Sequence, residues 1–144
     1  MATTSDVETL NSFLRGEISA VETYRQAIGH VSDMRYRTEL EDCLHDHEHR
    51  VEALKERVTK LGGQPVESSG VWGVFAKLVQ VGADVLGEKT AIQALEQGED
   101  HGLADYQRDM DKTHGEARRF VRMELLPAQK RTHGVMSRIK KTLH

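Results

Sequence analysis

Two Gly-Glu pairs, each with a tyrosine seven residues after the glutamate, are the residues best placed to do chemistry. "RGEISAVETY" carries Glu17 and Tyr24, and "QGEDHGLADY" carries Glu99 and Tyr106. Both glutamates fall on apolar helical stripes: Leu10, Leu14, Glu17, Val21, Tyr24, Ile28 in one, and Ile92, Leu95, Glu99, Gly102, Tyr106, Met110 in the other. A carboxylate on a core stripe is costly unless something pairs with it. Two histidines offer that pairing. His47 shares a stripe with Leu40, Leu44, Val51, Leu54, Val58 and Leu61, and His133 is expected on the inner face with Met123, Leu126, Met136 and Leu143. Two carboxylates and two imidazoles suit zinc, iron or manganese without choosing among them. Glu17, His47, Glu99 and His133 are therefore the candidate metal ligands.

The elements that must position them are helices. Ser5 with Glu8 resembles a capping box for the first, Ser32 or Asp33 can cap the second, and Gly62-Gly63 with Pro65 stop it. Residues 64–87 read as a long crossover holding a short amphipathic helix opened by Ser68 or Ser69, with Val71, Phe75, Leu78 and Val85 on one face. A third helix then carries Glu99, and a fourth runs from about Glu116 to Leu143, with a kink expected at Pro127. Short loops make neighbouring helices antiparallel, so the layout is two helical hairpins joined by the crossover, an all-α four-helix bundle in one domain, 1–144. Counted from a turn between Val31 and Ser32, Glu17 and His47 each lie about fifteen residues away, hence at one height. Counted from Gly115, Glu99 is sixteen residues before and His133 eighteen after, a mismatch of about half a turn that the Pro127 kink is expected to absorb.

Composition sets the boundaries. The net charge of −3 gives no electrostatic footprint for nucleic acid, and the basic "RIKKTLH" end reads as a helix terminus complementing its dipole. Lys77, Gln80 and Asp84 interrupt the most apolar run, so no membrane span is expected. The single cysteine, Cys43, excludes an internal disulfide and suits a reducing compartment, and no charged-then-apolar leader opens the chain, so a cytoplasmic location is expected.

"RGEISAVETY" and "QGEDHGLADY" look like the first and third helices of rubrerythrin and other ferritin-like proteins. The whole chain, with "LNSFLRGEISAVETY", "DHEHRVEALKERVTKLGG", "SSGVWGVFAK", "EQGEDHGLADY" and "LLPAQKRTH", resembles a small bacterial ferritin-like family of unknown function. That resemblance implies a ferritin-like bundle. The ferritin-like dimetal pattern takes a Glu from each of two helices and a Glu-x-x-His from each of the other two. Glu17 and Glu99 match the first requirement and His47 and His133 the histidines of the second, but Leu44 and Lys130 stand where the preceding carboxylates belong. Asp46-x-x-His49 has ligand spacing, yet His49 lies opposite His47 on the helix. His30, His45, His101 and His114 read as surface.

Two functions follow. One is a divalent-metal protein (Fe, Mn or Zn) with a reduced two-Glu/two-His site, linked to oxidative or metal stress; whether it is an enzyme stays open. The other is a metal-free structural or interaction bundle in which Glu17 pairs with His47 and Glu99 with His133. A metal ion is the expected partner, a homodimer is left open, and neither nucleic acid nor membrane is expected.

Overall fold

The computed structural model describes residues 4–70 and 87–143, an all-helical bundle with no strand among the described residues. Helix α1 spans Thr4–Ile28, α2 Met34–Lys60 and α3 Glu88–Asp109. A 3-10 turn at Met110–Lys112 leads to the fourth long helix. It has three parts: α4 (Gly115–Phe120), a π-helical turn at Val121–Leu125, and α5 (Leu126–Thr142). Right-handed helical dihedrals run unbroken across both junctions, so the three parts form one continuous coil. The crossover helix expected over 71–86 lies outside the described residues.

Local signals explain the ends. Asp33 caps α2 by accepting the Arg35 N–H at 2.9 Å. At the other end Gly62 takes φ +83°, and its N–H and that of Gly63 reach back to the carbonyls of Thr59 and Val58. The Pro127 signal resolves as the π-helical turn immediately before it. A proline ring collides with the carbonyl four residues back in an α-helix, and the wider π coil relieves that crowding.

Helices α1 and α2 form one antiparallel hairpin, α3 and the fourth helix the other, and α1 packs antiparallel on α3. The core is in two pieces. Leu10, Phe13, Leu14, Leu54, Val58, Phe120 and Leu125 fill the end nearest the N-terminus of α1. Tyr24, Ala27, Leu40, Ile92, Leu95, Met136 and Ile139 fill the other. Each fully buried leucine contributes roughly 1.5–3 kcal/mol. Between the two lies a buried polar layer, and Leu44 touches both clusters beside it. No described helix is long and apolar enough to cross a membrane.

The fourth helix departs from the expected phase. Its buried residues are Ala117, Phe120, Val121, Leu125, Ala128, Gln129, Thr132, Met136 and Ile139. Met136 is buried as expected. Met123, expected inside, is 64% exposed, while Leu126, His133 and Leu143 are half-buried at the flanks. The inner stripe runs one residue earlier than the expected one, so His133 is rotated out and Thr132 takes its place.

Candidate functional site: a buried ion-pair layer

Each of the four long helices sends side chains into the layer: Glu17 from α1, His47 and Arg50 from α2, Glu99 from α3, and Gln129 and Thr132 from α5. All are almost fully buried. His47 lies between the two carboxylates, with Nδ1 2.6 Å from Glu17 Oε1 and Nε2 2.7 Å from Glu99 Oε2. Both ring nitrogens can donate at once only as an imidazolium. Burial and the Arg50 charge push the ring toward the neutral form. Glu99 and Glu17 outweigh them and raise its pKa to about 9.

Arg50 has a donor for every neighbour. Nη1 donates to Gln129 Oε1 at 2.5 Å and to Glu17 Oε2 at 3.3 Å, and Nη2 to Thr132 Oγ1 at 2.8 Å and the Ala128 carbonyl at 3.1 Å. Nε donates to Asp46 Oδ1 at 2.9 Å, and Asp46 is held from outside by Arg131 at 2.5 Å. Burial raises the Glu17 pKa, but the charges of Arg50 and His47 prevail and bring it down to about 2. Glu99 is likewise lowered despite burial, by the His47 charge and its hydrogen bonds.

The tyrosines cross over. Tyr24, seven residues after Glu17, donates to Glu99 Oε2 at 2.6 Å, and Tyr106, seven after Glu99, donates to Glu17 Oε2 at 2.5 Å. The repeated Gly-Glu…Tyr motif thus forms a reciprocal exchange between two antiparallel helices. Burial, and then the carboxylate each one faces, raises both phenol pKa values well above the ordinary range. Gln129 Nε2 donates to Glu99 Oε1 and to the Glu99 carbonyl, both at 2.9 Å, and Thr132 Oγ1 donates to Glu99 Oε1 at 2.8 Å. Gly102 makes room for that amide, since a Cβ there would lie 2.7 Å from Gln129 Nε2. A cavity of about 40 Å³ adjoins the layer between α1 and α3, beside Gly16, Gly98 and Gly102. It faces carboxylates whose four oxygens all have donors already.

Of the expected ligands, Glu17, His47 and Glu99 meet. His133 does not: its Nε2 lies 2.5 Å from Asp100 Oδ1 at the bundle surface, with His133 half-buried and Asp100 exposed. Lys130 is exposed too, and His114 pairs with the buried Asp6 at 3.0 Å. The residues that do not fit the sequence expectation are Arg50, Gln129 and Thr132. Each sits one helical turn from a recognised stripe position, but the stripe spacing does not single out Arg50, and the expected stripe of the fourth helix is one residue out of phase.

A divalent cation needs ligand lone pairs aimed at one point. Here both His47 nitrogens are turned to opposite carboxylates, and a guanidinium stands beside them. Among the described residues no group of three or more His, Cys, Asp or Glu side chains is arranged to hold a metal ion. The residues present do not fit the expected metal in this arrangement.

No curated protein and no solved structure matches the chain. A model of the family described as a domain of unknown function, DUF2383, matches residues 5–112, through α1, α2, α3 and the 3-10 turn after them. The chain therefore belongs to the DUF2383 family.

Proposed function

We propose that this protein is a structural or interaction bundle whose central layer is a permanent, metal-free ion-pair network. The single observation that carries the reading is His47, which has both nitrogens engaged by opposing buried carboxylates while Arg50 occupies the space beside them. Glu17 and Glu99 supply two negative charges, and His47 and Arg50 supply two positive ones. A neutral, fully hydrogen-bonded layer specifies helix register and pairing at a cost in stability relative to an apolar core. It offers no open coordination position and no unengaged base, so the activity is assigned to the surface of the bundle.

A second reading is favoured by the convergence of Glu17, His47 and Glu99 from three helices. A divalent ion could bind if His47 gave up its protons and one carboxylate. The ferritin-like relation belongs with this reading as a resemblance. One experiment separates the two. Protein purified without chelator is analysed for metals, then melted with Fe²⁺, Mn²⁺ or Zn²⁺ alongside Glu17→Gln/Glu99→Gln. The metal-free reading expects substoichiometric metal and the same small response in both proteins. Stoichiometric metal in wild type, with a rise in Tm that the double variant loses, would establish the metal site instead.

A further inference from the structure

We propose that the layer fills every ligand position of a carboxylate-bridged dimetal centre, with two of the chain's own side chains standing where the metal charge would be. The inference rests on the metal-free reading above and goes one step beyond it. Bundle dimetal centres take one glutamate from each of two helices and an i, i+3 Glu-His pair from each of the other two. Glu17 on α1 and Glu99 on α3 supply the single glutamates. The i, i+3 pairs are also present: His47 and Arg50 on α2, and Gln129 and Thr132 on α5. All six are in mutual contact, through His47 to both glutamates, Arg50 to Glu17, Gln129 and Thr132, and Gln129 and Thr132 to Glu99. The positions are those of the centre, but none of the four paired positions keeps the residue the pattern puts there: His47 and Gln129 stand for the glutamates, Arg50 and Thr132 for the histidines.

The replacement balances in charge. A centre with four carboxylates and two divalent cations is neutral, and so is this layer, with Glu17 and Glu99 against the His47 imidazolium and the Arg50 guanidinium, and Asp46 at its edge offset by Arg131. It also balances in coordination. Arg50 gathers oxygens from Glu17, Gln129, Thr132, Asp46 and the Ala128 carbonyl, a shell of oxygen acceptors around one cation. His47 joins Glu17 and Glu99 by donating to both, so its positive charge holds together two carboxylates that would otherwise repel. On this assignment the i, i+3 positions of the pattern fall at 47/50 and 129/132 rather than at 44/47 and 130/133. Neither Leu44 nor Lys130 belongs to the layer.

The test restores the ligands at the positions the structure names. The fourfold variant His47→Glu/Arg50→His/Gln129→Glu/Thr132→His is titrated anaerobically with Co²⁺, whose visible bands report coordination, beside wild type and the milder Arg50→His/Thr132→His. About two Co²⁺ per chain are expected in the fourfold variant. Binding above wild type is expected in the milder one, which adds imidazoles without adding buried carboxylates, and wild type should give no ligand-field bands. Folded variants that bind no more Co²⁺ than wild type overturn the proposal. So does failure of both variants to fold when refolded with Co²⁺ present. Two Co²⁺ bound by wild type would instead overturn the metal-free reading itself, and the wild-type and variant arms keep the two failures apart.

Discussion

The His47 proton is held by the fold, so raising the pH should release it at a definite cost. In the unfolded chain the imidazole titrates near 6.5, and in the bundle near 9. Below 6.5 both states carry the proton and the full contribution of the ion pairs is present. As pH rises toward 9 the unfolded state loses its proton first and folding becomes less favourable. Above 9 the contribution is gone. A displacement of this size corresponds to about 3 kcal/mol, lost at about 1.4 kcal/mol per pH unit across the window. Glu17 gives the mirror image at low pH. Its stabilisation is present above 4.5 and lost as pH falls toward about 2. That is the same set of contacts seen from the carboxylate, so the two figures are not summed. Cys43, whose thiol burial raises to about 12, also weakens the fold above pH 9, but it cancels in any comparison of two proteins that share it. The assay is urea unfolding at constant ionic strength between pH 6 and 10 for wild type and His47→Gln. Wild type should be the more stable protein at pH 6, and the gap should close by about 3 kcal/mol at pH 10. Parallel curves across the whole range would refute the reasoning, because they would mean that His47 is neutral in the bundle.

Arg50→Met should cost about 3–5 kcal/mol in urea unfolding, since it removes the buried guanidinium that Glu17 and Asp46 share and leaves Glu17 to His47 alone among buried cations. Arg50→Met/Glu17→Gln should lose at least about 1 kcal/mol less than the sum of the two single variants, and strict additivity would show that the pair is not coupled. Tyr24→Phe and Tyr106→Phe each delete one hydroxyl donor to a buried carboxylate, so each should lower stability by about 1.5–3 kcal/mol, and by similar amounts, given the reciprocal geometry. A large difference between them would indicate that the two halves of the layer are not equivalent.

The parts of the fold legible in the sequence are those in which one residue's chemistry decides. The apolar stripes of α1, α2 and α3 lie where their spacing put them, and Glu17, His47 and Glu99 meet because identical heights on antiparallel helices follow from the rise per residue alone. Asp33 and Gly62 mark their helix ends by side-chain capping and by positive φ. Arg50 was hidden because a long cation beside a stripe ordinarily reaches solvent, and only the surrounding oxygens from two other helices show that it turns inward. Gln129 and Thr132 were hidden because a stripe of Met123, Leu126, His133 and Met136 has acceptable helical spacing on its own. The half-turn excess between Glu99 and His133 was the visible trace of that error. The correct partners lie closer to the turn, at 129 and 132.

The π-helical turn at Val121–Leu125 lets the fourth helix serve both ends of the bundle with one broad buried face. An α-helix turns about 100° per residue, so a single extra residue moves everything beyond it to a new side of the coil. Before the turn, Ala117 and Phe120 point into the apolar cluster at one end of the bundle. Beyond it, Gln129 and Thr132 point into the polar layer, and Met136 and Ile139 into the second cluster. One run of buried positions in steps of four and three, Ala117, Val121, Leu125, Ala128, Thr132, Met136 and Ile139, passes through the turn, with Phe120 on one flank of it and Gln129 on the other. Loss of one residue from the turn would rotate everything beyond it by about 100°, and Gln129 and Thr132 would lose Glu99.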